Sequence, residues 1–477
     1  MPMPRSRTVV RIAAAVLVLA LAGYAGAILW AEQAWTYSTP PSRTIGQAPD
    51  GTAAAVTPYC TGITRAGAHT WMLGRDTPGF IARQNAGPQA NWLSAQGVAR
   101  QPPERDIRAR DYSALWRLDA DGSFRIAAAV TDSACLAVTP DGASLFLLST
   151  LNSAALRAQH GTQPGVRQTL VFRSDDGGAS WQWQEQGLFA QAALVASHQD
   201  IHWIDARRAW SVRDIQDMRA DDRRKTPAGF PTGWYYSEDQ GRTATQVYSE
   251  TSLFPAPADF GPALHNARLF DPGYDSDQSH LAVLDADRAL GWYTHWIGYQ
   301  SAQGRAIAYL TTQVLLQRQG QDWRIAGITR QRGVRIAQLA QAPNGAIHAV
   351  LIRAGGNATL ARLDPATLEW TDERALPRVF PLGLPAYQSV TALRVSNRAQ
   401  VVSLWADHTV PRLLYPWGDA PASISATAEF WTADGGLSWQ RLPQRSPDDL
   451  LGMDGARNVL FWPEDDGKTI SGYQLAP

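Results

Sequence analysis

The chain has 477 residues, 45% of them hydrophobic, and its 43 Lys and Arg balance 43 Asp and Glu. That neutrality excludes the basic field a nucleic-acid partner needs. With only two cysteines, Cys60 and Cys135, a disulfide-dense scaffold and a Cys-rich metal centre are also excluded.

At the N-terminus Arg5, Arg7 and Arg11 precede nineteen uncharged residues from Ile12 to Trp30. As a helix this run spans about 28 Å, close to the hydrocarbon thickness of a bilayer. The basic flank predicts a cytoplasmic tail over 1–11, a single-pass anchor over 12–30 in a bacterial inner membrane, and export of the rest to the periplasm. A cleaved signal peptide is the alternative, because Ala25-Gly26-Ala27 fits a small-residue cleavage site. Between Thr36 and Pro58, four Pro and two Gly suit an extended linker within 31–58. The folded part, 59–477, follows. In an exported chain Cys60 and Cys135 are a candidate disulfide, with two buried thiols as the other reading.

From Tyr59 onward the sequence keeps returning to hairpins. Apolar strand pairs turn at Arg65-Ala66-Gly67, Pro140-Asp141-Gly142, Asp205-Ala206-Arg207, Asp285-Ala286-Asp287, Pro343-Asn344-Gly345, Ser396-Asn397-Arg398 and Asp454-Gly455. Between them lies a second kind, including Leu118 to Phe124, Gln317 to Trp323 and Leu363 to Trp370. Equivalent ends fall at 124, 181, 244, 323, 370 and 439, roughly sixty residues apart, as suits elaborated four-stranded blades. These predict an all-β propeller of four-stranded antiparallel blades, with seven favoured and six the alternative. The last blade lacks a fourth strand, which the segment before Tyr59 can supply.

Three members of the second kind share one motif. Ser174-Asp175-Asp176-Gly177-Gly178-Ala179-Ser180-Trp181 and Thr432-Ala433-Asp434-Gly435-Gly436-Leu437-Ser438-Trp439 fit Ser/Thr-x-Asp-x-Gly-x-Ser/Thr-Trp throughout. Ser237-Glu238-Asp239-Gln240-Gly241-Arg242-Thr243-Ala244 fits all but the last position. The motif resembles the Asp-box, or BNR repeat, of sialidase-like propellers. Its chemistry is structural: the carboxylate accepts backbone N–H groups, Gly supplies positive φ, the hydroxyls cap the turn, and Trp packs below. Asp176, Asp239 and Asp434 are therefore expected to hold hairpins and not to catalyse.

In a four-stranded meander the 2–3 and 4–1 connections emerge on one face, and the 1–2 and 3–4 turns on the other. The long connections here, Asp76 to Asp111, Thr150 to Gln168, Asp214 to Gly233, Thr251 to His280 and Ala406 to Ser423, all belong to the first class. Concentrating insertions on one face of a rigid scaffold predicts a binding surface. Trp92, Arg108, Arg223, Trp296 and Trp417, in or beside these connections, are the candidate contact residues.

The sialidase pattern is only partly present. Phe124-Arg125-Ile126-Ala127 lacks the family's Pro, and no acidic residue stands out between Asp141 and Asp175, where the acid is sought. His198, Asp200 and His202 read as a polar approach to a strand sooner than as metal ligands, and Asp271 to Asp277 lacks the spacing of a calcium loop. No metal and no cofactor are expected. The resemblance to photosystem II assembly factor-type propellers, which act as scaffolds, points to a membrane-anchored protein-binding scaffold. A sialidase-like hydrolase or carbohydrate-binding protein, with a glycan as partner, is the rival.

Overall fold

The computed structural model describes residues 42–47, 63–66, 69–76, 91–94, 97–99, 112–118, 124–131, 134–151, 168–184, 201–213, 233–249, 256–261, 264, 268–269, 276–302, 304–353, 358–380, 387–409, 423–442, 452–463 and 469–475, with six residues between 15 and 23. No helix among them is long and apolar enough to cross a membrane. The predicted span 12–30 lies outside the described residues except for Ala15, Val16, Val18, Leu19, Ala22 and Gly23, which are helical and exposed.

The described strands fall into seven sheets. The first sheet is built from β2 (Ile63–Ala66), β3 (His69–Asp76), β6 (Tyr112–Leu118) and β7 (Phe124–Thr131). It is extended at its outer edge by β4 (Asn91–Ser94), which runs parallel to β7, and β5 (Gly97–Ala99). The other six sheets each have four strands in antiparallel order. The second holds β8 (Ala134–Val138), β9 (Leu145–Leu151), β10 (Gln168–Ser174) and β11 (Gln182–Gln184). The third holds β12 (Ile201–Trp203), β13 (Ala209–Arg213), β14 (Gly233–Ser237) and β15 (Thr245–Ser249). In the fourth are β16 (Ser276–Val283), β17 (Arg288–Ser301), β18 (Gly304–Gln319) and β19 (Asp322–Arg332). The fifth comprises β20 (Val334–Gln341), β21 (Ile347–Arg353), β22 (Ala358–Leu363) and β23 (Trp370–Ala375). The sixth comprises β24 (Tyr387–Val395), β25 (Gln400–Thr409), β26 (Ser423–Thr432) and β27 (Gln440–Arg441). In the seventh, β28 (Gly452–Asp454), β29 (Val459–Pro463) and β30 (Thr469–Gln474) are joined by β1 (Ser42–Gln47), which pairs with β30 from Ser42↔Tyr473 to Gln47↔Thr469.

Period-two alternation explains how the sheets stack. Along β9, Leu145 and Leu147 join Trp71, Leu73 and Leu115 of the first sheet, whereas Phe146 and Leu148 join Tyr235 of the third. Trp210, Trp234, Tyr293 and Leu316 fill the space between third and fourth sheets, and Trp292, Ile336 and Leu351 that between fourth and fifth. Val350, Val402 and Phe430 join the fifth to the sixth, and Val401, Trp431, Leu460 and Tyr473 join the sixth to the seventh. Finally β2 lies beside β28, bringing the last sheet next to the first. The second to sixth sheets thus bury both faces against their neighbours, the arrangement of a β-propeller. Close approach fixes some positions absolutely: a Cβ on Gly291 would come within 2.2 Å of the Trp234 ring.

Cys135, on the innermost strand β8, is disulfide-bonded. The sequence holds one other cysteine, Cys60, which lies outside the described residues.

Candidate functional site

The three Asp-Gly turns connect strands 3 and 4 of the second, third and sixth sheets and repeat one hydrogen-bond pattern. Asp176 accepts from the Ser174 hydroxyl, the Ser180 N–H and the Ser180 hydroxyl, while the Gly178 N–H donates to Ser174 Oγ. Asp239 accepts from Ser237 and Thr243, and Asp434 from Thr432 and Ser438, in the same way, with the Gly241 and Gly436 N–H groups donating to the Ser237 and Thr432 hydroxyls. Burial pushes the Asp434 carboxyl up, but the Ser438 hydroxyl and N–H, with Thr432, outweigh it and hold the group at about 2. Asp176 and Asp239 are lowered by the same competition. Both oxygens of each of these carboxylates accept hydrogen bonds within its own turn.

The turns differ below. Trp181 is buried, its indole N–H donating to the Gly178 carbonyl. Trp439, expected to be buried in the same way, is half-buried instead, because its indole leans across to the fifth sheet and donates to the Ala375 carbonyl. In the third sheet Gln240 takes the positive φ that Gly177 and Gly435 adopt elsewhere, and its amide donates to the Ala206 carbonyl.

The opposite side is built differently. β17 and β18 pair without interruption from Arg288↔Gln317 to Ser301↔Gly304, so the 2–3 connection of the fourth sheet is a projecting hairpin arm. One face of this arm is braced: Phe260 and Leu264, in and after the 3-10 helix Pro257–Phe260, pack on Ile297 and Leu310, and Leu269 forms a β-bridge with Tyr299. Arg332 Nε donates to the Asp259 carbonyl at 2.7 Å, and Arg330 lies 3.6 Å from its carboxylate. By register, Trp296 and Tyr309 are cross-strand neighbours on the other face with Ile307, which is 51% exposed. The Arg335 guanidinium at the start of β20 sits over the Tyr309 ring at 6.0 Å.

Of the candidate contact residues, Trp296 is therefore half-buried on the open face of the arm. Trp92 is corrected: it lies in β4 and is 2% exposed, because the parallel pairing with β7 draws that strand into the core, where Asn91 donates to the Ala127 and Ala179 carbonyls. Arg108, Arg223 and Trp417 lie outside the described residues, as do most of the long connections.

Toward the axis, His202 on β12 and His280 on β16 are both held at about 4, chiefly by burial. His202 is further lowered by His280, and His280 by Arg335, against an opposing hydrogen bond to the Ile336 backbone. The Nε2 atoms of both imidazoles are closed off from solvent. His198 and Asp200 lie outside the described residues, and no group of three or more His, Cys, Asp or Glu among those described is arranged to hold a metal. A buried network in the sixth sheet links Arg394, Ser403 and Glu429: Arg394 donates to Ser403 Oγ, which donates to Glu429. Arg125 sits on β7 opposite Arg117, on the fourth strand of the meander and away from the axis.

No family model matches the chain, and no curated protein matches it. Among solved structures, an ulvan lyase of polysaccharide lyase family PL25 is similar at 9% identity over 90% of this chain and 95% of its own, with a TM-score of 0.44. The propeller domain of the trilobed protease of Pyrococcus furiosus is 9% identical over 81% of this chain and 98% of its own, with a TM-score of 0.31. An α-L-arabinofuranosidase of Fusarium graminearum is 10% identical over 82% and 98%, with a TM-score of 0.33. At scores this low the superposition is loose, and the architecture rests on the sheet order above.

Proposed function

We propose that the chain is a membrane-tethered, exported propeller of seven blades, closed by β1, that serves as a protein-binding scaffold through its long-connection face. The observation that carries this reading is the hairpin arm: one face is braced by the Pro257–Phe260 segment, and the other leaves Trp296, Tyr309 and Ile307 open beside Arg335. Aromatic side chains and Arg are the types that dominate binding energy at protein interfaces, and a braced hairpin presents them at little ordering cost. The exposed apolar helical residues Val16, Val18 and Leu19, downstream of Arg5, Arg7 and Arg11, support a tether separate from the propeller.

A photo-reactive residue at Ile307 of the full-length chain in its native membrane is expected to capture one discrete protein, and Leu437, 70% exposed on the Asp-Gly side, to capture none. Equal capture at both positions, or hydrolysis of sialylated or other terminal glycans by the purified chain, overturns the scaffold reading. The Trp296, Tyr309 and Arg335 grouping also favours a second reading, stacking on a sugar ring. Binding of the purified chain to a glycan array, abolished by Trp296→Ala, would select it.

A further inference from the structure

Outer strands of a propeller are edges, and this chain keeps almost all of them short. Among the described residues β11 and β5 have 3 residues, β15 has 5, β23 and β1 have 6, and β27 has 2. β19 has 11, and no described strand pairs with its outer side. An unpaired edge of this length is a template for another strand unless it is blunted.

At its centre two apolar side chains, Ile325 and Ile328, stand between the charged Arg324 and Arg330. Ile325 pairs with Leu316 and Gly327 with Leu315, leaving Ala326 as the extra residue of a bulge. The bulge resets the alternation, so Ile325 and Ile328, opposite Leu316 and Val314, lie on one face of the sheet. They are 45% and 43% exposed, continuing outward the apolar surface of Val314, Leu316 and Trp323.

We propose that β19 is a homodimer edge, pairing antiparallel with β19 of a second copy about a two-fold axis through Ala326–Gly327. Its sequence, DWRIAGITRQR, is self-complementary in that register. Ile325 faces Ile328 of the second copy and the reverse, giving four isoleucines on one face; Arg324 faces Thr329, and Trp323 faces Arg330. No Arg opposes an Arg across the axis. A two-fold interface requires this kind of reciprocity, which an unrelated partner strand does not. The arm's open face is turned toward the fifth sheet, so a dimer leaves it free for the partner proposed above.

Pairing of single edges buries little area, at the low end of specific interfaces (below about 1,200 Å²), so the dimer is expected to be concentration-dependent. Sedimentation of the full-length chain in detergent should show monomer converting to dimer as concentration rises. Ile325→Lys combined with Ile328→Lys should leave a monomer at every concentration with an unchanged circular-dichroism melt. Mixing single Ile325→Cys and Ile328→Cys chains under oxidation should give a 325–328 cross-link that Ile307→Cys chains do not form. A wild-type chain that stays monomeric, a dimer that survives the double Lys variant, or absence of the 325–328 cross-link overturns the proposal.

Discussion

The two sides of the propeller use similar polar residues to opposite ends. On the Asp-Gly side, Asp176, Asp239 and Asp434 spend their carboxylate oxygens on hydroxyls and N–H groups within their own turns. On the long-connection side, the arm carries Trp296 and Tyr309, half-buried, and Ile307, exposed, on the face turned away from Phe260 and Leu264, where Arg335 sits over the Tyr309 ring. The turns thus use their polar groups on themselves, whereas under the scaffold proposal the arm offers its aromatic side chains to a partner. Substitutions should therefore divide: large stability losses beneath the turns and in the sheets, and small ones on the arm.

The largest effects are expected in the interior. Trp181→Ala removes a buried indole and its bond to Gly178, and should cost about 3–5 kcal/mol by denaturant unfolding. Glu429→Ala should cost a similar amount, because it leaves the Arg394 guanidinium buried without its countercharge (about 3–5 kcal/mol). Replacing Glu429 and Arg394 together by Met should recover much of that loss. If the single and double variants are equally unstable, the network is not an electrostatic one. Trp439→Ala sharpens the comparison between turns: half-buried, it should lose roughly 1–2 kcal/mol, clearly less than Trp181→Ala. Equal losses would mean that both indoles staple their turns alike.

Much of this contrast was legible in the residues. Turn chemistry at Pro140-Asp141-Gly142, Pro343-Asn344-Gly345 and the Asp-Gly motifs locates hairpins because those residues act locally, through φ and side-chain capping. The arm was not legible, because β17 continues past Trp296 to Ser301. Its outer half carries Tyr, Gly, Gln and Ser, which read as loop. It is held as strand by distant partners, Phe260 and Leu264. Trp92 fails for a related reason, since a parallel pairing between β4 and β7 leaves no local signal. In the candidate site, which aromatic is open depends on register, which connection lengths do not reveal.

Intermediate effects should appear with acid. His202, His280, His295 and His348 are all held at about 4, burial being the chief cause, against an ordinary value of about 6.5. The unfolded chain binds more protons than the folded one between these values, so stability should be complete above about pH 6.5 and fall as pH drops toward 4. The Asp-Gly turns follow at lower pH: Asp434, held at about 2, contributes stability above its unfolded value that is lost as pH falls through its folded one. Melting temperature measured from pH 8 to 2 should therefore decline in two stages. A flat profile down to about pH 4 would show that the imidazoles are not neutral in the folded chain.

The smallest stability effect should come from the arm. Ile307 is 51% exposed on the open face, and Ile307→Asp removes no buried contact, so its cost should stay within about 0.5 kcal/mol, typical of surface changes. Its effect on binding should be large by contrast, because a carboxylate placed beside Trp296 and Tyr309 must be desolvated when a partner covers that face. Photo-capture from Tyr309 in the Ile307→Asp background, compared with wild type at equal melting temperature, separates the two quantities. Retained capture with unchanged stability would show that the open face is an ordinary exposed strand, and the division between the two sides would then reflect packing alone.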